Sequence, residues 1–201
     1  MDPYVYPGTN VLRNLRGFRT LRELSELEAE ASSWRLSQLE RRPLRGKFDI
    51  AHLQAIHRYI FQDVYPWAGE LRTVDIARPG QFYFAFSHQI RPCLERTFAD
   101  LQAERYLKGA SAQEFCHRAA HYMGELNASH PFRDGNGRTQ REFIRELGLH
   151  GGHVLNWVHV TLAQMYAASH VSFQAADNSG LEKVLMAAVG LPELLSPSCY
   201  D

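Results

Sequence analysis

Residues 130–141 of this 201-residue chain read His130-Pro131-Phe132-Arg133-Asp134-Gly135-Asn136-Gly137-Arg138-Thr139-Gln140-Arg141. Each residue type in this run suits one part of a nucleoside triphosphate. A histidine can accept a proton near neutral pH, an aspartate can hold a magnesium ion, and a glycine-rich turn exposes backbone N–H groups to oxyanions. The arginines can pair with the outer phosphates. The run therefore predicts a phosphate-binding site with a proton acceptor beside it.

The order of these residues also predicts the backbone around them. Pro131 disfavours helical backbone in the residue before it, so we expect the preceding helix to end at His130. Positive φ angles are readily adopted by Gly135, Asn136 and Gly137, and successive N–H groups can then form a nest for an anion. The same turn opens into a predicted helix, whose first N–H groups and positive dipole end would point at one spot.

That helix is predicted over Arg138–His150. Its apolar positions are Phe143, Ile144, Leu147 and Leu149. Arg138 and Arg141 are three residues apart and are therefore neighbours in the first turn. Two cations at a helix N-terminus oppose the dipole, at a cost of roughly 0.3–1 kcal/mol each when exposed. A bound polyphosphate would remove that cost, so the two arginines strengthen the prediction of a phosphate site.

The same run resembles the signature of the Fic family: a histidine, Pro-Phe, an acidic residue, Gly-Asn-Gly-Arg, and a second arginine three residues further on. Every signature position is matched. The segment Ile56–Arg72 resembles the part of that family that leads into its flap, and Asp2–Leu15 is similar to the start of short bacterial Fic toxins. Together the resemblance extends to about Val189.

The resemblance implies a mainly α fold, a compact helical bundle with a small β-hairpin flap over the active-site loop. We expect residues 1–189 to form a single Fic domain and residues 190–201 to form a loosely ordered tail. Apolar periodicity agrees with helices, and Ser111 with Glu114 predicts the start of the one that delivers the motif histidine. The predicted apolar faces are Leu21, Leu24, Leu27, Ala31 and Trp34; Ile90, Leu94, Phe98 and Leu101; Phe115, Ala119, Tyr122, Met123 and Leu126; Leu162, Met165, Ser169 and Phe173; and Leu181, Val184, Leu185 and Ala188.

Fic proteins typically transfer AMP from ATP to a Ser, Thr or Tyr hydroxyl, so the resemblance implies attack on the α-phosphate with pyrophosphate leaving. It implies that His130 is the base and Asp134 the Mg²⁺ ligand. Arg138 and Arg141 would hold the β- and γ-phosphates. The implied anion hole for the α- and β-phosphates is Gly135, Asn136 and Gly137. The residues that align with the family's adenine pocket are Met165 and Tyr166.

Arg72–Ile76 and Phe82–Phe86 favour β-structure and flank a proline-glycine turn at residues 77–81, which predicts a hairpin. In the Fic family this region is the flap, which lies over the active site and registers the target segment. An exposed edge can accept an extended target peptide by strand addition. The target-registering residues that the resemblance implies are Val74, Asp75 and Ile76. An ordinary surface hairpin is the alternative interpretation.

Composition and charge narrow the range of functions. The 22 Lys and Arg residues balance 22 Asp and Glu residues, so the net charge gives no case for nucleic acid or an anionic membrane as partner. Basic crowding at residues 13–22 and 41–47 favours a solvated face.

Neither a secretory nor a membrane-spanning segment is present, and the odd, widely spaced cysteines indicate a reducing cytoplasm. A zinc site at His117 and His121 lacks an evident third ligand.

The chain lacks one feature that many Fic proteins have. Their own inhibitory helix is marked by Ser or Thr, three residues, then Glu followed by Gly or Asn, and that glutamate pairs with the second motif arginine. No glutamate here is followed by Gly or Asn. We therefore expect a toxin whose separate small antitoxin supplies a glutamate to Arg141, with DNA gyrase or topoisomerase IV as the implied target. Two alternatives stay open: a Fic-type effector with another target or nucleotide donor, and a non-enzymatic nucleotide-binding regulator.

Overall fold

The computed structural model describes residues 2–77 and 83–189, and within these ranges the chain is mainly helical. The α-helices are α1 (Leu21–Arg41), α2 (Ile50–Phe61), α3 (Ile90–Ala103), α4 (Ala112–Ser129), α5 (Asn136–Gly151), α6 (Leu162–Ala175) and α7 (Ser179–Ala188). Single 3₁₀ turns lie at Ser87–Gln89, Arg105–Leu107 and Trp157–His159. The mainly α fold predicted from the sequence is therefore confirmed.

Side-chain caps fix where four of these helices begin. In each case a side-chain oxygen accepts a backbone N–H from the first turn. The capping residues are Thr20 before α1, Asp49 before α2, Ser111 before α4 and Thr161 before α6. Such a cap typically contributes about 1 kcal/mol, because it satisfies an N–H group that has no partner within the helix. The start predicted at Ser111 is confirmed.

Helix α4 forms the centre of the bundle, where it packs against α3, α5, α6 and α7. Its buried side chains include the five that periodicity predicts. These are Phe115, Ala119, Tyr122, Met123 and Leu126. Full burial of a large apolar side chain stabilises by about 1.5–3 kcal/mol, so this face anchors the helix firmly. The loop that follows α4 therefore starts from a fixed point.

The other predicted apolar faces are buried to different degrees. In α6 only Met165 of the predicted face is buried, whereas Leu162 is 79% exposed and Ser169 and Phe173 are half-buried. The faces of α3 and α7 are fully confirmed, with Ile90, Leu94, Phe98, Leu101, Leu181, Val184, Leu185 and Ala188 all in the core. Leu149 in α5 is an exception at 38% exposure, because it lies about 200° around the helix from the buried Leu147. Leu21 and Trp34 of α1 are also exposed, although Leu24 between them is buried.

The flap lies between α2 and α3 and has two described arms, residues 72–77 and 83–86. Ala77 and Tyr83 form an antiparallel bridge, and the N–H of Phe84 donates to the carbonyl of Ile76 (3.2 Å). The arms are thus paired at this point, and neither forms a longer strand within its described residues. The predicted turn at residues 77–81 runs into residues 78–82, which lie outside the described residues.

The N-terminal arm, residues 2–15, packs against the segment before the flap and against Arg133. The Tyr4 ring packs edge-on against Trp67 with centroids 5.4 Å apart, and Asp2 accepts from the guanidinium of Arg133 (2.8 Å).

The expected tail at 190–201 lies outside the described residues, so the boundary at residue 189 stays a prediction. Of the helices described, none has the length and apolar character that spanning a bilayer requires.

Candidate active site

The junction between α4 and α5 forms the motif loop, residues 130–135. Helix α4 ends just before His130, as Pro131 predicts, and His130 takes a left-handed backbone conformation (φ 41°, ψ 61°). Gly135 is also left-handed (φ 78°), and a Cβ at this position would lie 2.3 Å from the ring of Phe61. Both the backbone angle and the close approach therefore require glycine at 135.

The predicted nest of three positive φ angles is wrong in its details. Gly135 alone of the three has a positive φ, because α5 already begins at Asn136 and includes Gly137. The N–H groups that can receive an anion therefore belong to a helix N-terminus that follows a left-handed glycine. The buried Asn136 side chain closes the loop instead, since it accepts the N–H of Phe132 (2.9 Å) and donates to the Phe132 carbonyl (2.8 Å).

His130 projects from the motif loop toward the flap. Its ring stacks on that of Phe84, with centroids 3.8 Å apart and planes 13° apart. Its Nδ1 lies 3.3 Å from the carbonyl of Asn127, and the tautomer that donates from Nδ1 keeps a lone pair on Nε2. That is the form a general base requires. A left-handed non-glycine residue costs about 1–3 kcal/mol and persists only where surrounding contacts enforce it.

Asp134 is the acidic residue of the motif loop. Burial raises the pKa of this carboxyl, the nearby Glu28 carboxylate adds to the rise, and the N–H of Gly135 opposes it by donating to Oδ1. A divalent cation beside the carboxylate would offset the unfavourable burial of negative charge. Mg²⁺ typically takes one or two carboxylates together with phosphate oxygens and water. Asp134 therefore fits the predicted role of Mg²⁺ ligand.

His57 of α2 supports the motif loop from below and was not singled out by the sequence. Its Nε2 lies 3.0 Å from the carbonyl of Asp134, and its Nδ1 accepts the N–H of Gly69 (2.8 Å). The ring stacks on Phe132 with centroids 3.9 Å apart. Complete burial lowers the pKa of His57 to about 3. The imidazole is therefore neutral, and its Nε2–H holds the Asp134 backbone in place.

Arg138 is held from the side by α1. Its guanidinium pairs with Glu28, donates to the hydroxyl of Ser32 (3.0 Å) and lies 4.6 Å above the ring of Phe61. The hydroxyl of Tyr65 donates to the same glutamate. Helix α1 thus fixes the orientation of the first motif arginine, a contact that the sequence did not predict.

Arg141 has a different environment. It forms no salt bridge within residues 2–77 and 83–189. Burial lowers the pKa of its guanidinium, and the neighbouring Arg138 adds to this effect. A half-buried cation without a counter-ion is costly, and an anionic ligand would remove that cost. Arg141 is therefore placed and charged as a phosphate contact requires.

Two adjoining cavities meet at the motif. A polar cavity of about 340 Å³ is bordered by every motif residue predicted to handle phosphate or metal. Its lining is His130, Arg133, Asp134, Gly135, Asn136, Gly137, Arg138 and Arg141. A second cavity of about 290 Å³ shares His130, Gly137 and Arg141 with the first. The shared residues show that the two cavities lie side by side.

The second cavity contains both residues predicted to line an adenine. Met165 is buried at its base, and Tyr166 borders it with 59% of the residue exposed. Sequence reasoning missed the other lining residues, which are Asn127, Gln140, Leu162 and Ser169. Gln140 belongs to the motif itself, at a position the signature leaves variable, and it donates to the carbonyl of Leu126 (3.2 Å).

The three predicted target-registering residues lie on the first flap arm. The carbonyls of Val74 and Ile76 accept from the Arg72 guanidinium and from the Phe84 N–H. Asp75 is exposed, and its carboxylate accepts the N–H of Ser87 (2.6 Å), which lowers the pKa of that carboxyl. The structure thus brings these residues to the flap but not into either cavity.

The zinc alternative finds no support in the part of the chain that is described. No group of three or more His, Cys, Asp or Glu side chains is arranged to hold a metal ion there. His117 instead lies 2.9 Å from the carboxylate of Glu182, with 65% of its side chain exposed. This pair is an ordinary surface contact.

Comparisons with known proteins agree with this geometry. A Fic/DOC family model matches residues 47–147. The protein adenylyltransferase VbhT of Bartonella schoenbuchensis is 42% identical over 185 residues, which are 92% of this chain but only 38% of VbhT. The probable protein adenylyltransferase Fic of Salmonella typhimurium is 38% identical over 189 residues, which are 94% of this chain and 92% of that protein.

A solved structure shares the fold. BepC, a VirB-translocated effector protein of Bartonella tribocorum crystallised with bound AMPPNP, has a TM-score of 0.88 at 28% identity. The similarity covers 92% of this chain and 95% of the BepC chain. The family model spans half of the sequence, and the relatives extend the match to nearly all of it. The chain therefore belongs to the Fic/DOC family and has the Fic fold.

Proposed function

We propose that this chain is a Mg²⁺-dependent protein adenylyltransferase, which transfers AMP from ATP to a Ser, Thr or Tyr hydroxyl of a target protein. The observation that carries the proposal is the sharing of His130, Gly137 and Arg141 between the polar cavity and the cavity beside Met165 and Tyr166. A nucleotide across the two would have its phosphates at the N-terminus of α5 and its base against α6. Relatives named protein adenylyltransferase support the same reaction.

The chain contributes a base and a set of positioned charges to this reaction. The target hydroxyl oxygen forms a bond to the α-phosphorus, and the bond from that phosphorus to the oxygen bridging the β-phosphate breaks, so pyrophosphate leaves. The hydroxyl proton passes to Nε2 of His130, whose Nδ1–H faces the carbonyl of Asn127. Such transfers otherwise depend on positioning and charge neutralisation, which the N–H groups at the start of α5 help to supply.

Asp134 would hold Mg²⁺, which when bound neutralises phosphate charge and orients the triphosphate. The chain fixes this carboxylate from behind, because His57 binds the backbone carbonyl of the same residue. Arg141, without a counter-ion among the described residues, would contact the γ-phosphate, and Arg138 would contact the β-phosphate. The cation in the site and the two arginines would then offset most of the triphosphate charge.

The target segment is proposed to pair with the flap. Val74, Asp75 and Ile76 lie on the first flap arm. This arm is paired with the second arm at the bridge between Ala77 and Tyr83. An extended segment added along this arm would form main-chain hydrogen bonds, which tolerate varied sequence. A hydroxyl side chain of the target segment would then lie near His130, beside the Phe84 ring that stacks on it.

We further propose that the protein is a toxin inhibited by a separate small antitoxin, and that its target is DNA gyrase or topoisomerase IV. The partner's glutamate would pair with Arg141 and occupy the place of the γ-phosphate. The support is that Arg141 forms no salt bridge within the described chain. The second candidate is an effector with the same chemistry and another target, which the name of the BepC relative favours.

Labelled ATP distinguishes the competing functions. The chain is incubated with Mg²⁺, cell lysate and ATP labelled at the α- or the γ-phosphate, alongside His130→Ala and the control His117→Ala. We expect α-label on protein, a fall of about 10²–10⁴-fold in His130→Ala, and wild-type labelling in His117→Ala. Transfer of γ-label would indicate a kinase instead. Nucleotide binding without any label on protein would indicate a regulator and contradict the proposal.

Inhibition is tested with the isolated chain and a helical peptide that contains the Ser/Thr-x-x-x-Glu-Gly pattern. We expect the chain alone to label protein, the peptide to suppress labelling, and a Glu→Gln peptide to have little effect. Arg141→Ala should abolish the response to the peptide. If the isolated chain is already inhibited and Arg141→Ala does not change that, the antitoxin proposal is wrong.

A further inference from the structure

Arg72, at the start of the flap, has an unusual environment. Only 2% of the residue is exposed, and its guanidinium forms no salt bridge with any described carboxylate. Burial lowers the pKa of Arg72, and the charge of Asp75 partly opposes this. A buried cation without an ion pair is unfavourable unless hydrogen bonds satisfy it well. The molecule therefore retains a costly charge at a position where an apolar side chain could fill the space.

The hydrogen bonds of Arg72 explain what the charge does there. Its guanidinium donates to four backbone carbonyls, those of His130 (2.8 Å), Val74 (2.7 Å), Ala85 and Ser129 (3.3 Å). Five N–H donors in a planar fork make arginine the one side chain that can bind so many acceptors at once. A lysine, with three donors on a single nitrogen, cannot reproduce this set.

The four acceptors belong to different parts of the molecule. Val74 and Ala85 lie on the two opposite arms of the flap, whereas the other two carbonyls close α4 and open the motif loop. Main-chain bonds join the same parts: the Arg72 N–H donates to the Pro131 carbonyl (2.9 Å), and the Ala85 N–H donates to the Ala128 carbonyl (3.0 Å). One cation thus links both arms of the flap to the backbone of the loop.

The link is made at His130, whose backbone conformation requires support from its surroundings. The left-handed backbone of His130 is unfavourable for a non-glycine residue and requires surrounding contacts to enforce it. The bond from Arg72 holds the carbonyl of this residue, and the stacked ring of Phe84 holds its imidazole. Both contacts come from the flap. The flap therefore helps to set the orientation of the imidazole, together with the Asn127 carbonyl that faces Nδ1.

We propose that Arg72 is a positioning residue, which fixes the backbone of His130 to both flap arms and so couples the flap to the catalytic imidazole. The proposal rests on the proposed function in one respect, that His130 is the base. A target segment that pairs with the flap would, through Arg72, also stabilise the orientation of the base. The nucleotide site at the N-terminus of α5 is not among the groups that Arg72 contacts, so nucleotide binding should be independent of it.

The test compares the wild-type chain with Arg72→Lys. The control is Arg145→Lys, a buried arginine of α5 that pairs with Glu142 on the side of α1. We expect Arg72→Lys to lower kcat at saturating target and ATP by about 100-fold, because misplacement of a reacting group has effects of this size. The Kd for ATP should change by no more than about threefold. The control should show wild-type kcat per folded molecule.

A second readout separates positioning from stability and needs no reaction. Hydrogen exchange of the Ala85 N–H should be at least about tenfold faster in Arg72→Lys than in the wild type, with exchange in the middle of α4 unchanged. In the wild type, the Arg72 Nε–H should exchange far more slowly than that of the exposed Arg91. If it exchanges as fast as Arg91, the proposal is overturned even where no variant folds.

The remaining outcomes are also decisive. An unchanged kcat in Arg72→Lys, or a parallel loss of kcat and ATP affinity, would overturn the positioning role. Unchanged Ala85 exchange in a folded variant would overturn the coupling. If the wild type transfers no AMP while the exchange results are as expected, the proposed function fails and the link between flap and loop stands.

Discussion

Helix α5 contains a buried arginine, Arg145, and a half-buried one a turn earlier, Arg141, and their environments differ. Arg145, in the middle of the helix, donates to both carboxylate oxygens of Glu142 (2.8 and 2.6 Å) and to the carbonyl of Leu39 (3.0 Å). Arg141, in the first turns, forms no salt bridge within the described residues. The same helix therefore contains both a neutralised cation and one that keeps its charge available.

The two buried histidines of α2 also have different kinds of partner. His52 faces the middle of α5, where its Nε2 lies 2.8 Å from the carboxylate of Glu146. His57 faces the start of α5 and binds backbone groups, the carbonyl of Asp134 and the N–H of Gly69. In the middle of α5 the charge of Arg145 is compensated inside the fold, whereas Arg141, nearer the start, leaves compensation to a ligand. The uncompensated charge of Arg141 is informative because Arg145, one turn away on the same helix, is paired with a carboxylate.

The largest effect is expected where the fold has already neutralised the charge. Arg145→Met should lower the free energy of unfolding by about 3–5 kcal/mol, because it leaves Glu142 buried without its partner. Denaturant titration measures the loss. Affinity for ATP per folded molecule should stay at the wild-type value, since Arg145 borders neither cavity at the motif. A loss below about 1 kcal/mol would show that the pair is not a structural ion pair of this strength.

A smaller effect of a different kind is expected one turn earlier. Arg141→Ala should weaken ATP binding by about 10–150-fold, the equivalent of a charge-assisted hydrogen bond of about 1.5–3 kcal/mol. The free energy of unfolding should be unchanged or slightly higher, because a cation without a counter-ion is removed. Calorimetric titration and denaturation measure the two quantities. The control is Arg91→Ala on the exposed face of α3; a loss of stability in Arg141→Ala would contradict the comparison.

Sequence reasoning succeeded at the start of α5 because the features there are local. Pro131 limits the backbone before it, and the glycine at 135 and the apolar period of residues 143–147 act over a few positions. These signals placed the end of α4, the loop and the following helix close to where the structure has them. The predicted positive φ at Asn136 was wrong because the amide side chain closes the loop, which lets the helix begin earlier than expected.

The supporting contacts could not be predicted in the same way, since they join distant positions. Arg138 and Glu28 are 110 residues apart, and Arg72 and His130 are 58 apart. Helix α1 contains five glutamates, and only the fold determines that the one at 28 faces the motif. The compensated and uncompensated arginines of α5 also look alike in the sequence. The distinction depends on which neighbours the tertiary structure supplies.

His57 provides the last test, through the pH dependence of stability. Burial lowers its pKa from the ordinary value of 6.5 to about 3 in the folded protein. Between these two values the unfolded chain binds a proton that the folded chain does not, so stability falls as the pH falls through this range. The contribution is fully present above about pH 6.5 and decreases by at most about 1.4 kcal/mol per pH unit below it.

The variant His57→Phe isolates this contribution, because phenylalanine can keep the stacking on Phe132 but binds no proton. Near pH 7.5 the variant should be less stable by about 1–3 kcal/mol for each backbone group that loses its partner, those of Asp134 and Gly69. Toward pH 4.5 the difference from the wild type should shrink, since the wild type alone pays the cost of keeping His57 neutral. Urea titrations at several pH values measure the difference, and equal m-values in the two proteins are the control. A difference that stays constant from pH 7.5 to 4.5 would mean that His57 is not held neutral beneath the loop.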